Sequence, residues 1–221
     1  SAMLMDVGFE GIEEKEQGTH TGAVRQSLFN EIETNELFKH FHIDYDINTI
    51  QPQNWNALWE SGFQPVLVDD FACIRANFHQ AIPGVLHDII VTPKMSFGTG
   101  HHATTYMMLA EMRAIDFKQK DVIDFGTGTG VLAILAEKLG AENILAIDND
   151  EWSIENAAEN ISVNGCSKIH LELADHMANN FTADIILANI NLNVITANLP
   201  VIKAVTKPGG LVLFSGILVQ D

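Results

Sequence analysis

The stretch DFGTGTGVLAILAEKLG, residues 124–140, has the residue types and spacing in this chain that best suit a chemical task. Three glycines, Gly126, Gly128 and Gly130, alternate just before a Leu/Ala/Ile-rich run of helical character. Glycine lets a chain turn sharply and approach a ligand closely, because it has no Cβ. A helix that begins after such a turn directs its free N–H groups at the same ligand. The pattern therefore predicts a ligand-binding loop.

The spacing around this loop fits two nucleotide ligands. Gly128, Gly130 and Ala133 match the G-x-G-x-x-A fingerprint of dinucleotide-binding folds, and Asp148 follows about 20 residues after Gly128, where an acid that binds ribose is expected. The same residues fit D-x-G-x-G, the loop that binds S-adenosylmethionine, and Asp148 would hold the ribose hydroxyls there too. A Walker-type loop is excluded because no Gly-Lys-Ser/Thr follows. Spacing alone leaves both nucleotides open.

A polar residue, Asn189, lies near the end of the strand-like run ADIILANI and is expected at the same sheet edge as the glycine loop. An amide can accept a hydrogen bond from an amine and donate one to a carboxylate, which suits a reaction that orients a nitrogen nucleophile. The alternative is an asparagine that merely begins a turn.

A second glycine loop, FGTGHHATT at residues 97–105, leads into a helix with Thr104 and Thr105 in its first turn. We expect this loop to fold over the far side of the ligand. Its His101 and His102 lack a third ligand at a suitable spacing, so no metal site is predicted.

The elements that position these residues alternate between strand and helix from Asp121 onward, which predicts a parallel sheet covered on both faces. Right-handed crossovers then place the carboxyl ends of the strands at one edge, where a ligand should bind. The helix EWSIENAAENISVNG shows apolar residues at helical spacing: Ile154, Ala157, Ala158 and Ile161.

The upstream half is less regular. The runs PVLVDD, ACIRAN and HDIIVTP predict three short strands in an antiparallel meander or flap. NWNALWESGF predicts a short amphipathic helix. Before it, SLFNEIETNELFKHF has near-helical spacing and GTHTGAVRQ is typical of a loop, so residues 1–43 are expected to form a small α+β unit.

The composition limits the partners. The chain has 221 residues, 29 of them acidic against 12 Lys and Arg, a formal net charge of −17. A free nucleic acid partner is not expected, because phosphate contacts need a basic surface, whereas a basic protein would be attracted. No run reaches the roughly 18 apolar residues of a membrane span. Cys73 and Cys166 lack metal or redox spacing and no signal peptide is seen, so a cytoplasmic protein is predicted. The composition carries no signal for an oligomeric state.

Several motifs together resemble the ribosomal protein L11 methyltransferase family, whose members methylate amino groups of that ribosomal protein. They are FGTGHHATT, VIDFGTGTGVLAILAEKLGA, ILAIDND followed by A..N...NG, DIILANI and GGLVLFSGIL, and the resemblance spans roughly residues 54 to 220. It implies a Rossmann-like class I methyltransferase fold with S-adenosylmethionine as cofactor, and transfer to lysine side-chain or N-terminal amines. The cofactor positions implied are Thr105, Gly126, Gly128, Gly130, Asp148, Asp175 and Asn189. Asp175 corresponds to an adenine contact, and Asn189 is the candidate catalytic residue.

The resemblance also implies the domain organisation. We expect a partial N-terminal substrate-docking domain at 1–43, a linker at 44–54, and a methyltransferase domain at 55–221. The family usually has Thr and Pro where this chain has His101 and Ala103. The N-terminal unit is expected to be incomplete, and the sheet to lack the two C-terminal strands that class I methyltransferases add.

Three alternatives remain open at this point. An NAD-dependent oxidoreductase would share the loop and Asp148, another class I methyltransferase would act on a different substrate, and a non-catalytic module would bind the cofactor without turnover.

Overall fold

The computed structural model describes residues 10–16, 19–23, 29–46, 64–92, 103–177 and 181–217, with the backbone alone for the first two ranges. The chain divides into two compact units, Ser1–Leu58 and Trp59–Asp221. The predicted domain limits at residues 43 and 55 stay predictions, since most of the predicted linker, like the predicted helix NWNALWESGF, lies outside the described residues.

The first unit contains two strands and one helix in its described part. Strands β1 (Glu10–Glu16) and β2 (Thr19–Ala23) pair antiparallel, so the loop predicted for GTHTGAVRQ is wrong over β2. Pairing with β1 supplies backbone hydrogen bonds that a local reading of this polar stretch does not foresee. The predicted helix is confirmed as α1 (Glu31–Phe41), and the side chain of Asn30 caps it by accepting hydrogen bonds from the N–H groups of Ile32 and Glu33.

The second unit begins with a three-stranded sheet of β3 (Val66–Val68), β4 (Ala72–Ala76) and β5 (His87–Val91). β3 and β4 are antiparallel, but β4 and β5 are parallel, so the predicted antiparallel meander is wrong for the second pair. Residues 77–86 carry the chain back to the start of β4, where the N–H of Leu86 donates to the Asp70 carbonyl. The Arg75 guanidinium then joins the two strands through hydrogen bonds of 2.8 and 2.7 Å to the Asp88 carboxylate.

The larger sheet is the doubly wound parallel sheet that the alternation predicts. Its five strands follow the order β10-β9-β6-β7-β8, and every neighbouring pair is parallel. The strands are β6 (Asp121–Phe125), β7 (Asn143–Asp148), β8 (Ile169–Leu173), β9 (Ala183–Asn189) and β10 (Thr206–Ser215). The helices of this unit are α2 (Ala103–Met112), α3 (Val131–Lys138), α4 (Glu151–Val163) and α5 (Leu192–Val205).

Successive residues of the central strands enter different hydrophobic clusters. Val122 of β6 and Ala146 of β7 belong to one cluster, whereas their neighbours Ile123 and Leu145 belong to a second. Because side chains alternate across a strand, the two clusters lie on opposite faces of the sheet. Both faces are therefore buried, as predicted for a parallel sheet.

The strand order reverses at β6. The chain runs from β6 outward through β7 to β8, and then returns to β9 on the other side of β6. The carboxyl ends of β6 and β9 thus lie side by side where connections leave in opposite directions, which is where open α/β sheets bind ligands. No described helix has the length and apolar character that crossing a membrane requires.

Candidate functional site

A cavity of about 710 Å³ opens at the carboxyl ends of the large sheet. Its volume is in the range of roughly 300–1,000 Å³ that is typical of small-molecule sites. The cavity is lined by residues from α2, from the ends of β6 to β10 and from the starts of α3, α4 and α5: Thr104, Thr105, Phe125, Gly126, Thr127, Gly128, Val131, Leu132, Asp148, Asn149, Asp150, Ser153, Ala174, Asp175, Asn189, Ile190, Asn191, Val194 and Gly216.

Six of the seven predicted site residues line this cavity, and Gly130 does not. Gly130 instead precedes the first turn of α3 with φ of 80°, and a Cβ there would lie 3.3 Å from the Ala157 Cβ. Its conformation and its closeness to α4 both favour glycine. The third glycine of the motif therefore serves helix packing in this chain, not direct contact with the cavity.

The glycine loop is held against β7 at its start. The N–H groups of Gly126 and Thr127 both donate to the Ile147 carbonyl, at 2.9 Å each. Gly126 has φ of 75°, and a Cβ built on it would lie only 2.2 Å from Cγ2 of Ile190. The absence of a side chain here lets Ile190, at the end of β9, contact the loop backbone.

Asp148, at the end of β7, uses both carboxylate oxygens to organise the backbone around it. Oδ2 accepts a hydrogen bond of 2.8 Å from the Gly128 N–H, and Oδ1 accepts one of 3.0 Å from the Asp150 N–H. Each carboxylate oxygen has a further lone pair. Because Asp148 also lines the cavity, those lone pairs can accept hydrogen bonds from the hydroxyls of a ligand.

Asn189 is held by the helix on the other side of the cavity. Its Nδ2 donates a hydrogen bond of 3.2 Å to Oγ1 of Thr105, which is buried in α2. With an amide hydrogen committed to Thr105, Oδ1 is the atom that can accept a hydrogen bond from an amine. Thr105 therefore fixes the orientation of the Asn189 amide, the candidate catalytic group.

The residue after Asn189 lies between two glycines. Ile190 fills the space where Gly126 has no Cβ, and a Cβ on Gly216, with φ of 82°, would lie 2.5 Å from the Ile190 carbonyl oxygen. Gly216 follows β10, whose last residue Ser215 is in register with Asn189. The close packing on both sides of Ile190 fixes the chain position of Asn189.

Asp175 lies at the rim of the cavity, two residues beyond β8, and is exposed. Its Oδ1 contacts Nδ1 of His176, and this hydrogen bond lowers the pKa of the Asp175 carboxyl. Asp175 is therefore an ionised hydrogen-bond acceptor at the rim, which suits recognition of an amino group on a planar base.

The most deeply buried acid near the cavity, Asp124, is absent from the predicted site residues. It is fully buried, and its Oδ2 accepts hydrogen bonds from Oγ1 of Thr127 at 2.7 Å and from the Ala133 N–H at 3.1 Å. Asp124 thereby ties β6, the glycine loop and the first turn of α3 together. The first acid of the D-x-G-x-G motif was the sequence signal for this role. Its Oδ1 has no hydrogen-bond partner among the described residues.

Burial raises the pKa of Asp124 to about 7; the charge of Asp148 acts in the same direction, and the bonds from Thr127 and Ala133 oppose it. The folded chain thus binds this proton more tightly than the unfolded chain, whose carboxyl has the ordinary value of 3.8. It follows from linkage that Asp124 lowers the free energy of unfolding progressively as pH rises from 3.8 to about 7, with no further change above that range.

We expect the Asp124→Asn variant to lose this pH dependence. Relative to the parent chain, its free energy of unfolding should rise by about 2.5 kcal/mol between pH 5 and pH 7.5, the part of the pKa shift that falls in this window. Urea unfolding at several pH values measures the difference between the two proteins, in which contributions from the other carboxylates cancel. A difference that does not vary with pH would contradict the assignment.

The motifs do not predict two further residues of the cavity lining, Asp150 and Asn191. The Asp150 carboxylate caps α4 by accepting hydrogen bonds from the Ser153 N–H and hydroxyl, and Asn191 caps α5 through the Val194 N–H. Both are residue types that commonly cap a helix, and both lie at the end of a predicted strand or directly after it, which was the sequence signal for these positions. The predicted loop at 97–102, with His101 and His102, lies outside the described residues. Elsewhere in the described part of the chain, no group of three or more His, Cys, Asp or Glu side chains is arranged to hold a metal ion.

Comparison with known proteins agrees on one family. The model of a family described as ribosomal protein L11 methyltransferase matches residues 14–221. A relative of that name from Phocaeicola vulgatus is 38% identical over 229 residues, covering 100% of this chain and 81% of the relative. One from Chlorobaculum parvum is 49% identical over 179 residues, covering 76% of this chain and 61% of the relative. The solved structure of ribosomal protein L11 methylase from Lactobacillus delbrueckii subsp. bulgaricus is 30% identical, with a TM-score of 0.64, and the match covers 70% of this chain and 81% of that one.

Proposed function

Because the chain belongs to the ribosomal protein L11 methyltransferase family, we propose that its cavity binds S-adenosylmethionine and that it methylates lysine side-chain or N-terminal amines of ribosomal protein L11. The family resemblance drawn from the motifs is confirmed, and the chain is an S-adenosylmethionine-dependent protein methyltransferase of the class I fold.

The observation that best supports this cofactor is the charge of the cavity. Its described lining contains three acids, Asp148, Asp150 and Asp175, and no Lys, Arg or His. Such a lining attracts a cationic sulfonium and does not favour the pyrophosphate of a dinucleotide. Gly126 and Gly128 would lie along the methionine and ribose, Asp148 would hold the ribose hydroxyls, and Asp175 would contact the adenine.

When bound, S-adenosylmethionine supplies an electrophilic methyl group that is already activated for transfer. The chain's own task is then to align the acceptor nitrogen and to exclude water. Oδ1 of Asn189 accepts a hydrogen bond from the acceptor amine and so directs its lone pair, while Thr105 keeps the amide in that orientation.

The acceptor amine must be neutral to react. A free lysine has a pKa of about 10.4 and a terminal amine about 7.7–8.0. Entry into a partly buried site lowers either value, and the proton is released to water. The mechanism therefore needs no dedicated base, and it assigns that role to no acid of the lining.

The partner and the place of action follow from the same reaction. A chain with a formal net charge of −17 attracts a basic substrate such as a ribosomal protein. The first unit would be the docking module, joined by a hinge near residues 44–54, so that one site could reach several amines. We place the reaction in the cytoplasm, with neither free nucleic acid nor membrane as partner.

Calorimetry and mass spectrometry together test the proposal. S-adenosylhomocysteine should bind with a stoichiometry near one per chain, and NADH should not bind. Purified ribosomal protein L11 incubated with the enzyme and S-adenosylmethionine should gain mass in steps of one methylene group. Binding of NADH in preference would favour an oxidoreductase, and cofactor binding without any gain in mass would favour a non-catalytic module.

A further inference from the structure

Three asparagines at intervals of four form a row on α4 and just beyond it. Asn156 and Asn160 are fully buried, and Asn164 caps the end of the helix. Of the apolar residues at helical spacing in α4, Ala157 is buried, Ile161 packs half-buried against the core, Ile154 is half-buried and Ala158 is exposed. The helix therefore buries the amides of Asn156 and Asn160 beside its apolar residues.

The amides of this row bond to backbone groups at the end of β5. Nδ2 of Asn156 donates to the Thr92 carbonyl at 3.1 Å, and Oδ1 of Asn160 accepts from the Thr92 N–H at 2.8 Å. Asn164 binds Ile90 in the same manner, through its N–H at 3.0 Å and its carbonyl at 2.6 Å. These asparagine amides supply the hydrogen-bond partners that a neighbouring strand would otherwise provide to the backbone of β5.

Asn160 makes two hydrogen bonds that Asn164 lacks. Its Nδ2 donates a hydrogen bond of 2.8 Å to the carbonyl of Thr129, which lies between Gly128 and Gly130 in the glycine loop. A hydrogen bond of 3.3 Å to Oδ1 of Asn156 uses the same nitrogen. The Asn160 amide thus links α4 to the loop whose Gly128 N–H donates to Asp148.

The loop needs such an anchor because of its own composition. Gly128 and Gly130 have φ of 55° and 80°, and glycine loses more conformational freedom on ordering than any other residue. Thr129 is the one residue with a side chain between them. Fixing its carbonyl holds the Thr129–Gly130 peptide in place. This limits the conformations open to Gly128, whose N–H lies two peptides earlier, in the Thr127–Gly128 peptide.

We propose that Asn160 is a positioning residue for the cofactor: by holding the Thr129 carbonyl, it keeps the glycine loop and Asp148 in the arrangement that binds the nucleoside. This inference rests on the proposed function, since it concerns affinity for the same cofactor. Asn160 touches neither the cavity nor the reacting atoms, and its effect is exerted through the loop.

The test compares Asn160→Ala with Asn164→Ala. Both variants remove side-chain hydrogen bonds to the backbone at β5, and both should lower the urea midpoint of unfolding. Only Asn160→Ala should also weaken binding of S-adenosylhomocysteine, by about tenfold as for the loss of one buried hydrogen bond. Methyl transfer should show a raised KM for S-adenosylmethionine with kcat within about threefold of the parent enzyme.

A second measurement reports on the mobility of the glycine loop in the absence of cofactor. Amide hydrogen exchange of Gly128 should be faster in Asn160→Ala than in the parent chain, and unchanged in Asn164→Ala. If Asn160→Ala does not fold, Asn160→Ser, which keeps a polar group but cannot span the distance to Thr129, replaces it in both measurements.

The possible outcomes distinguish a failure of the positioning role of Asn160 from a failure of the proposed function. Equal affinities for the two variants, or unchanged Gly128 exchange in the Asn160 variant, would overturn the positioning role. A parent chain that binds no S-adenosylhomocysteine would overturn the proposed function itself, and the inference with it.

Discussion

The Asp148→Ala variant is expected to bind S-adenosylmethionine about 100-fold more weakly than the parent enzyme, corresponding to about 3 kcal/mol. Two effects add. The variant loses the carboxylate that would accept the ribose hydroxyls, and it also leaves the Gly128 and Asp150 N–H groups without their acceptor. Hydrogen bonds to a charged group are worth about 1.5–3 kcal/mol each, so the lost ligand contacts and the unpaired Gly128 and Asp150 N–H groups together account for the stated effect.

Titration calorimetry with S-adenosylhomocysteine measures this loss directly. Asp148→Asn should fall between the parent and Asp148→Ala, because an amide keeps one acceptor oxygen but not the charge. Glu142→Ala is the matched control: it removes an acid just before β7, at the opposite end of that strand, where Glu142 pairs with Lys168 at 2.9 Å. The control should bind within about twofold of the parent. An Asp148→Ala variant with parental affinity would refute the ribose assignment.

The Asn189→Ala variant is expected to lower kcat by about 100-fold, as for misplacement of a reacting group, with a much smaller change in cofactor affinity. The variant removes the amide oxygen that accepts a hydrogen bond from the incoming amine, while the glycine loop and Asp148 remain intact. It also removes the 3.2 Å hydrogen bond that Nδ2 of Asn189 donates to Oγ1 of Thr105.

Single-turnover methylation at saturating cofactor separates the two parameters. Asn193→Ala is the matched control, because Asn193 is an exposed amide in the first turn of α5 and does not line the cavity. The control should retain the parental rate. If Asn189→Ala instead lost cofactor affinity with an unchanged rate of transfer, Asn189 would be a binding residue alone and the orienting role would be wrong.

The sequence predicts the large sheet well, for physical reasons. The runs DVIDFG, NILAIDND and ADIILANI are buried on both faces, so their hydrophobicity is nearly continuous. Each strand can therefore be predicted from its own residues. The edge at which Gly126, Asp148 and Asn189 meet follows from strand direction and crossover handedness alone. Six of the seven site residues that the family resemblance implies line the cavity.

What the sequence does not predict depends on contacts between distant segments. The parallel pairing of β4 with β5 follows from where the chain returns at Leu86, and the short strands themselves do not encode it. The motif A..N...NG includes Asn160, but the sequence assigns it no role, because its hydrogen-bond partners Thr92 and Thr129 lie 68 and 31 residues away in the chain. The role of Gly130 in packing on Ala157 likewise depends on a second helix.

The position of Gly216 in the cavity lining affects when during synthesis the cavity can form. The cavity draws on residues from Thr104 to Gly216, and Gly216 becomes part of it only when β10 has paired with β9. A chain emerging from the ribosome therefore presents the glycine loop long before the far wall of the cavity exists. We expect capture of the nucleoside only once β10 has been synthesised and has paired with β9, so the ligand favours chains in which this pairing is complete.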